Sequence, residues 1–173
     1  AARAEMLNGA DVSILCLPDD AAREAVSLID NPKARVIDAS TAHRSLPDWV
    51  YGFPEYDSGQ TARIAAAARV SNPGCYAIAT VALLKPLVSA GIIPYDFPLT
   101  IQGVSGYSGG GKSMIESFEN PISPTHTNDA FRFYALGLKH KHVPEIQTRL
   151  GLSARPLFVP SVGRYHQGMI VQV

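Results

Sequence analysis

An excess of charge of either sign is missing from this chain. Its 173 residues carry 15 Lys and Arg against 15 Asp and Glu, so the formal net charge is zero. That excludes a general electrostatic surface for nucleic acid or an anionic membrane. Long hydrophobic runs are missing too, and none approaches the ~20 residues of a membrane span. Cysteine is scarce: Cys16 and Cys75 stand far apart. Two such residues make no disulfide framework, and a reducing compartment is the default. A metal centre is equally unsupported. His140 and His142 form a His-x-His pair, but no second cluster of Cys, His or carboxylate accompanies it. There is no internal repeat, and the 13 prolines and 14 glycines are spread along the chain instead of pooled in a linker. What is present is 46% apolar residues, enough for a core in one good domain or two small ones.

The ends read as cuts. "AARAEMLNG" is the tail of a helix closed by Gly9, and "GMIVQV" stops inside a strand-like run. With no starting methionine and no targeting signal, the expectation is an excerpt of a longer protein.

The first third alternates strand and helix. "DVSILCLP" is a short apolar run suited to a buried parallel strand, with Cys16 in the core. "DDAAREAVSLID" follows, with Asp19 or Asp20 as cap and Ala22, Ala25, Val26 and Ile29 on one face. "ARVIDAS" is a second strand, completing a βαβ unit. Ligands in such sheets bind beyond the carboxyl ends of the strands. Those ends carry Leu17-Pro18 and Asp38-Ala39-Ser40. For Asp38 and Ser40, a turn or a helix cap is the competing explanation. Residues 40–59 are polar and aromatic with three turns, followed by a short Ala-rich helix and the strand "RVSN".

The chemistry concentrates in "RVSNPGCYAIATVALL". Asn-Pro-Gly makes a turn, and Gly74 and Cys75 fall at the first turn of a helix running to about Ala90, bent at Pro86 and ended by Gly91. Free N–H groups at a helix start favour an anion, including a thiolate, and can hold the oxyanion of an attacked carbonyl. A nucleophilic cysteine needs an acid/base partner, which His140 or His142 can supply. The alternative is an inert, packed thiol. Further on, "PLTIQGVS", "RPLFVPSVG" and "QGMIVQV" are strands, and "MIESFEN" and "VPEIQTRLG" are helices, the latter with Pro144 in its first turn. Between them, Gly106, Gly111, Lys112 and Ser113 fit G-x-x-x-x-G-K-[ST]. No later strand ends in the Asp that such a nucleotide site needs for Mg²⁺, so the match reads as a coincidence. A P-loop module and a cofactor-free cysteine hydrolase nonetheless stand as alternatives.

"SNPGCY", "VSGYSGGGK" and "YALGLKHKHVPEI", in that order, resemble the N-acetyl-gamma-glutamyl-phosphate reductases. These are arginine-pathway members of the aspartate-semialdehyde dehydrogenase-like group. "CLPDDAA", "VIDASTAHR" and "PSVGRYHQGMIVQV" fit the shorter of the two sequence types. The resemblance implies an α/β fold: the later part of a Rossmann-like NADP-binding domain over residues 1–73, then an α+β catalytic and dimerisation domain over residues 74–173. It also implies NADPH-dependent reduction of N-acetyl-glutamyl phosphate to the semialdehyde and phosphate, through a thioester on Cys75. His140 would be the acid/base, Tyr134 and His142 would line the substrate pocket, and Arg44 would meet the substrate phosphate. Ser105 and Gly106 would contact the cofactor, and the strand-end reading adds Leu17, Pro18 and Ser40 as cofactor contacts. The implied setting is a cytoplasmic homodimer or homotetramer with small-molecule substrates and no nucleic-acid, membrane or metal partner. The glycine fingerprint for the pyrophosphate is absent and is expected before Ala1.

Overall fold

The computed structural model describes residues 2–173, arranged around two four-stranded sheets. The first sheet has the order β1-β2-β4-β3 and is parallel throughout. Its strands are β1 (Val12–Leu15), β2 (Arg35–Asp38), β3 (Val50–Tyr51) and β4 (Arg69–Ser71). Helix α1 (Ala2–Gly9) precedes it, α2 (Asp19–Ser27) connects β1 to β2, and α3 (Gln60–Ala66) leads into β4. The βαβ reading of residues 11–39 holds: Val12 pairs with Arg35 and Leu15 with Asp38 in parallel register.

One face of this sheet is packed. Ala25 of α2 meets Leu15, Val36 and Trp49, with Leu7, Val26 and Ile29 at the margin. The other face is open along β1 and β2, where Val12, Ile14 and Ile37 are exposed. That corrects two expectations. β1 is buried on one side only. Cys16, which continues the Val12–Ile14 parity just past the strand end, is exposed rather than core. The cap of α2 also differs. Pro18 is the N-cap residue and its carbonyl takes the N–H of Ala22, while Asp19 Oδ1 accepts from Thr41 N at 2.9 Å.

The second sheet has the order β6-β7-β5-β8. Strands β5 (Thr100–Gly106) and β7 (Leu157–Gly163) are parallel. β6 (Phe131–Phe133) and β8 (Met169–Gln172) run antiparallel to their neighbours. Helices α4 (Cys75–Ser89) and α6 (His142–Leu150) cover one face, and α5 (Lys112–Glu119) follows the glycine-rich turn. The main core lies here: Ala77, Val81 and Leu84 of α4 and Val143, Ile146 and Leu150 of α6 pack on Ile101 and Phe158. Each fully buried Val, Leu, Ile or Phe side chain among these stabilises by roughly 1.5–3 kcal/mol.

The start of α4 is fixed by Tyr76. A Cβ on Gly103 would lie 2.5 Å from Tyr76 Cε1, so glycine lets the ring press on β5. The hydroxyl then donates to the Ser161 carbonyl at 2.9 Å. Cys75 is thereby held over the second sheet. α4 ends as its sequence expects: Ala90 is the C-cap residue, and Gly91 follows at φ 70°.

Candidate active site

Cys75 is the first residue of α4, after Gly74 with φ −71° and ψ 143°, and its side chain is exposed. It opens into a cavity of about 470 Å³ that Arg44, Ser105, Tyr134, His140, Lys141 and His142 also line. Residues from the first sheet's loops, from β5 and from the approach to α6 thus meet at one helix start. Ser105 and Gly106 join Cys75, Gly109 and Met169 around an adjoining recess.

The two histidines lie on the same side. An extended backbone would point them apart, but Lys141 has helical φ −59° and ψ −21°. The rings come to 4.6 Å between centroids. His142 donates its backbone N–H to His140 Nδ1 at 3.1 Å. That nitrogen is therefore an acceptor, and neutral His140 carries its proton on Nε2. Burial and the Lys141 charge push His140 down to about 4. Burial, then His140, Arg44 and Lys141, push His142 down to about 3. Both rings are neutral at pH 7. His142 is buried, with Nδ1 unpartnered. Tyr134 packs beside His140 at 5.8 Å, and burial raises its phenol, as it does that of Tyr76.

Arg44 is 6% exposed and firmly held. Its Nε donates to the Asn72 carbonyl at 2.9 Å and Nη2 to the Ala39 carbonyl at 2.8 Å. Nη1 reaches Glu145 Oε2 at 3.3 Å. Glu145, 1% exposed, was not singled out in the sequence. Its Oε1 accepts the backbone N–H of Gly74 at 2.8 Å and the hydroxyl of Tyr51 at 2.8 Å. The only sequence signal was an acid one helical turn after His142, which is the ordinary pattern of an amphipathic helix. Lys141 and Met114 also line the cavity without a prior signal.

Leu17, Pro18 and Ser40 are not part of this cavity. They follow the carboxyl ends of β1 and β2, where Leu17 and Pro18 are exposed. The Ser40 hydroxyl donates to Asp38 Oδ2 at 2.6 Å and accepts from Ala42 N at 3.1 Å, so its hydrogen bonding is engaged in a turn. His43 shares that carboxylate, with Nδ1 at 2.6 Å, and stacks on Trp49 at 4.1 Å.

The P-loop alternative fails on hydrogen bonding. In the turn after β5, Gly106, Tyr107 and Ser108 donate their N–H groups to the carbonyls of Gly168, Tyr165 and His166. A phosphate cradle needs those donors free. Residues 107–110 form a 3₁₀ turn, and Lys112 is exposed outside the cavity. Among the described residues, no three His, Cys, Asp or Glu side chains gather where a metal ion could be held. No described helix is long and apolar enough to cross a membrane.

For a dinucleotide, the fit is divided. The recess beside Cys75 is small and glycine-walled, with the Ser105 and Ser108 side chains available, and it suits a flat ring. The start of α2, by contrast, carries Asp19 and Asp20 and does not suit a pyrophosphate.

Residues 75–173 match the family described as semialdehyde dehydrogenase, dimerisation domain, and residues 1–64 match semialdehyde dehydrogenase, NAD binding domain. The chain is 57% identical over 171 residues to N-acetyl-gamma-glutamyl-phosphate reductase 2 of Pseudomonas putida, covering 99% of this chain and 54% of that protein. It is 58% identical over 175 residues to the N-acetyl-gamma-glutamyl-phosphate reductase of Chelativorans sp., covering 100% and 55%. It therefore spans about half the length of the curated relatives it matches. Aspartate semialdehyde dehydrogenase II from Vibrio cholerae superposes with a TM-score of 0.65 at 17% identity, over 95% of this chain and 55% of that one. At that identity the likeness concerns the fold. None of these relatives is a nucleoside triphosphatase or a hydrolase. The match over residues 75–173, which takes in more than half of the 173 residues, places the chain in the semialdehyde dehydrogenase family.

Proposed function

We propose that the whole protein is an NADP-dependent acyl-phosphate reductase. It converts N-acetyl-glutamyl 5-phosphate to N-acetyl-glutamate 5-semialdehyde and phosphate, a step of arginine biosynthesis. The observation that carries this reading is the cavity itself: Cys75 at a helix start, with two neutral histidines and an anchored guanidinium around it. The names of the relatives supply the substrate class.

Cys75 Sγ attacks the acyl carbon, an S–C bond forms, the bond to the phosphoryl oxygen breaks, and phosphate leaves. The N–H groups in the first turn of α4 stabilise negative charge on the acyl oxygen. His140, in the acid/base position, shares its Nε2 proton with that oxygen through a hydrogen bond, and the Cys75 thiolate is expelled as the aldehyde carbonyl re-forms. Tyr134 and His142 wall the pocket, and Arg44 presents Nη1 to the substrate's phosphate. NADPH, when bound, supplies the hydride that takes the thioester to the aldehyde level. Ser105 and Gly106 would hold its nicotinamide end, with Leu17, Pro18 and Ser40 along the first sheet's carboxyl edge.

In this reading residues 1–73 are the dinucleotide-binding portion and residues 74–173 the catalytic and dimerisation portion. A homodimer or homotetramer is supported by the apolar side chains Phe131, Phe133 and Ile170, exposed on the second sheet. Two free cysteines suit the cytoplasm. The test is Cys75→Ser in the full-length protein, assayed in reverse with semialdehyde, phosphate and NADP. Turnover should fall by orders of magnitude with the fold intact, and retained turnover would rule out the thioester route.

A further inference from the structure

Two recesses meet at Lys141. One is the Cys75 cavity. The other, of about 230 Å³, is walled by Lys139, His140, Lys141, Gln147 and Arg155, with Pro144 at its edge. Among the described residues, His140 and Lys141 alone line both, and no Asp or Glu lines either.

The cations of the Cys75 cavity differ in how they are held. Both histidines are neutral at pH 7, which leaves Arg44 and Lys141. Arg44 is buried and fixed by Asn72, Ala39 and Glu145. Lys141 is exposed, and among the described residues it enters no ion pair. Its charge still acts within the cavity, because it helps to push both histidines down. Its backbone is the N-cap of α6, so a flexible four-carbon stem carries the ammonium from a fixed point.

The substrate of the reductase reading has a second anionic end. With its acyl carbon at Cys75 and its phosphate at Arg44, the free carboxylate lies beyond three further carbons. A carboxylate drawn out of water beside neutral rings costs free energy unless it is paired. We propose that Lys141 is the specificity-determining residue of this site, pairing with the free carboxylate of an N-acyl amino-acid substrate where the two recesses join. The inference deepens the reductase reading and rests on it. Lys139 and Arg155 line only the outer recess, and Arg155 is engaged by the Leu138 carbonyl. A hydrated, flexible ammonium also suits a group that must be released at every turnover.

The test compares two aldehydes in the full-length protein, run in reverse with phosphate and NADP. One is N-acetyl-glutamate 5-semialdehyde. The other is 4-acetamidobutanal, the same chain with hydrogen in place of the carboxylate. Wild type should prefer the first in kcat/KM by about tenfold or more, mainly through KM, the scale of one charge-assisted contact. Lys141→Gln should bring the two aldehydes to within about threefold of each other. Lys141→Arg, which keeps the charge, should retain most of the preference, and Lys139→Gln should retain all of it. A merely structural effect would lower both aldehydes alike and leave their ratio unchanged. At pH 8 both histidines are neutral with or without Lys141, because burial is the larger cause of their low values. Equal use of the two aldehydes by wild type, or a wild-type preference surviving in Lys141→Gln, overturns the proposal. Loss of the preference in Lys139→Gln instead overturns it too. A wild-type protein that turns over neither aldehyde refutes the reductase reading and the proposal with it; an active wild type whose preference does not depend on Lys141 refutes the proposal alone.

Discussion

Replacing Gly74 with alanine isolates the packing between the nucleophile's turn and the histidine helix. The backbone at Gly74, φ −71° and ψ 143°, is open to any residue, so the variant tests sterics and not glycine's conformational freedom. The new Cβ would lie 2.3 Å from His142 Nε2, 2.5 Å from its Cδ2 and 2.7 Å from Arg44 Nη1. Ordinary contact begins at 3.4 Å, well beyond all three approaches. Arg44 cannot yield easily, because Asn72, Ala39 and Glu145 hold its guanidinium. His142 must therefore turn or carry the start of α6 with it. Overpacking of this kind costs about 1–3 kcal/mol of stability. A shift of the α6 start also moves the His142 N–H that orients His140, and a misplacement of about 1 Å at the acid/base group costs on the order of 100-fold in rate. Denaturant unfolding and steady-state kinetics of the full-length protein measure the two effects separately. A Gly74→Ala protein with wild-type stability and turnover would show that His142 does not pack against the nucleophile's turn.

Arg44→Ala should lower kcat/KM by ~1.5–3 kcal/mol, and it should also destabilise the fold because it strands the buried Glu145 charge. Lys112→Ala, at an exposed position outside the cavity, should change kcat/KM by less than about twofold, and an inactive Lys112 variant beside a normal Arg44 variant would reverse both assignments. His140→Asn should reduce turnover more than His142→Asn, and the opposite order would transfer the acid/base role to His142. Both histidines are pushed below their ordinary value of 6.5, to about 4 and about 3, so the unfolded chain binds protons that the folded one refuses. Stability is then complete above pH 6.5 and declines as pH falls toward 4, by about 2 kcal/mol at pH 5 for the more deeply buried His142 and by less for His140, which water screens; urea unfolding between pH 7 and pH 5 should show the decline, and His142→Asn should reduce it.

Local chemistry was enough to read the βαβ unit and the helix of Cys75. In both, the informative residues are neighbours: a short apolar run bounded by Asp and Pro, and Asn-Pro-Gly ahead of an apolar stretch. The pairing of Cys75 with His140 was legible through its resemblance to a family, not through pattern. Strands β3 and β6 were missed because two or three residues carry no periodicity. Cys16 was misplaced because an apolar strand does not disclose which of its faces is covered. The G-x-x-x-x-G-K-[ST] match could not be dismissed on hydrogen bonding from its own residues, since their N–H groups are taken by carbonyls some 60 residues on. Glu145 was invisible for the same reason. In sequence it is one acid on an amphipathic helix; only the tertiary structure brings it Gly74 from 71 residues away, Tyr51 from 94 and Arg44 from 101. A buried carboxylate is defined by its donors, and donors that distant are assembled only when the two sheets and their helices have packed.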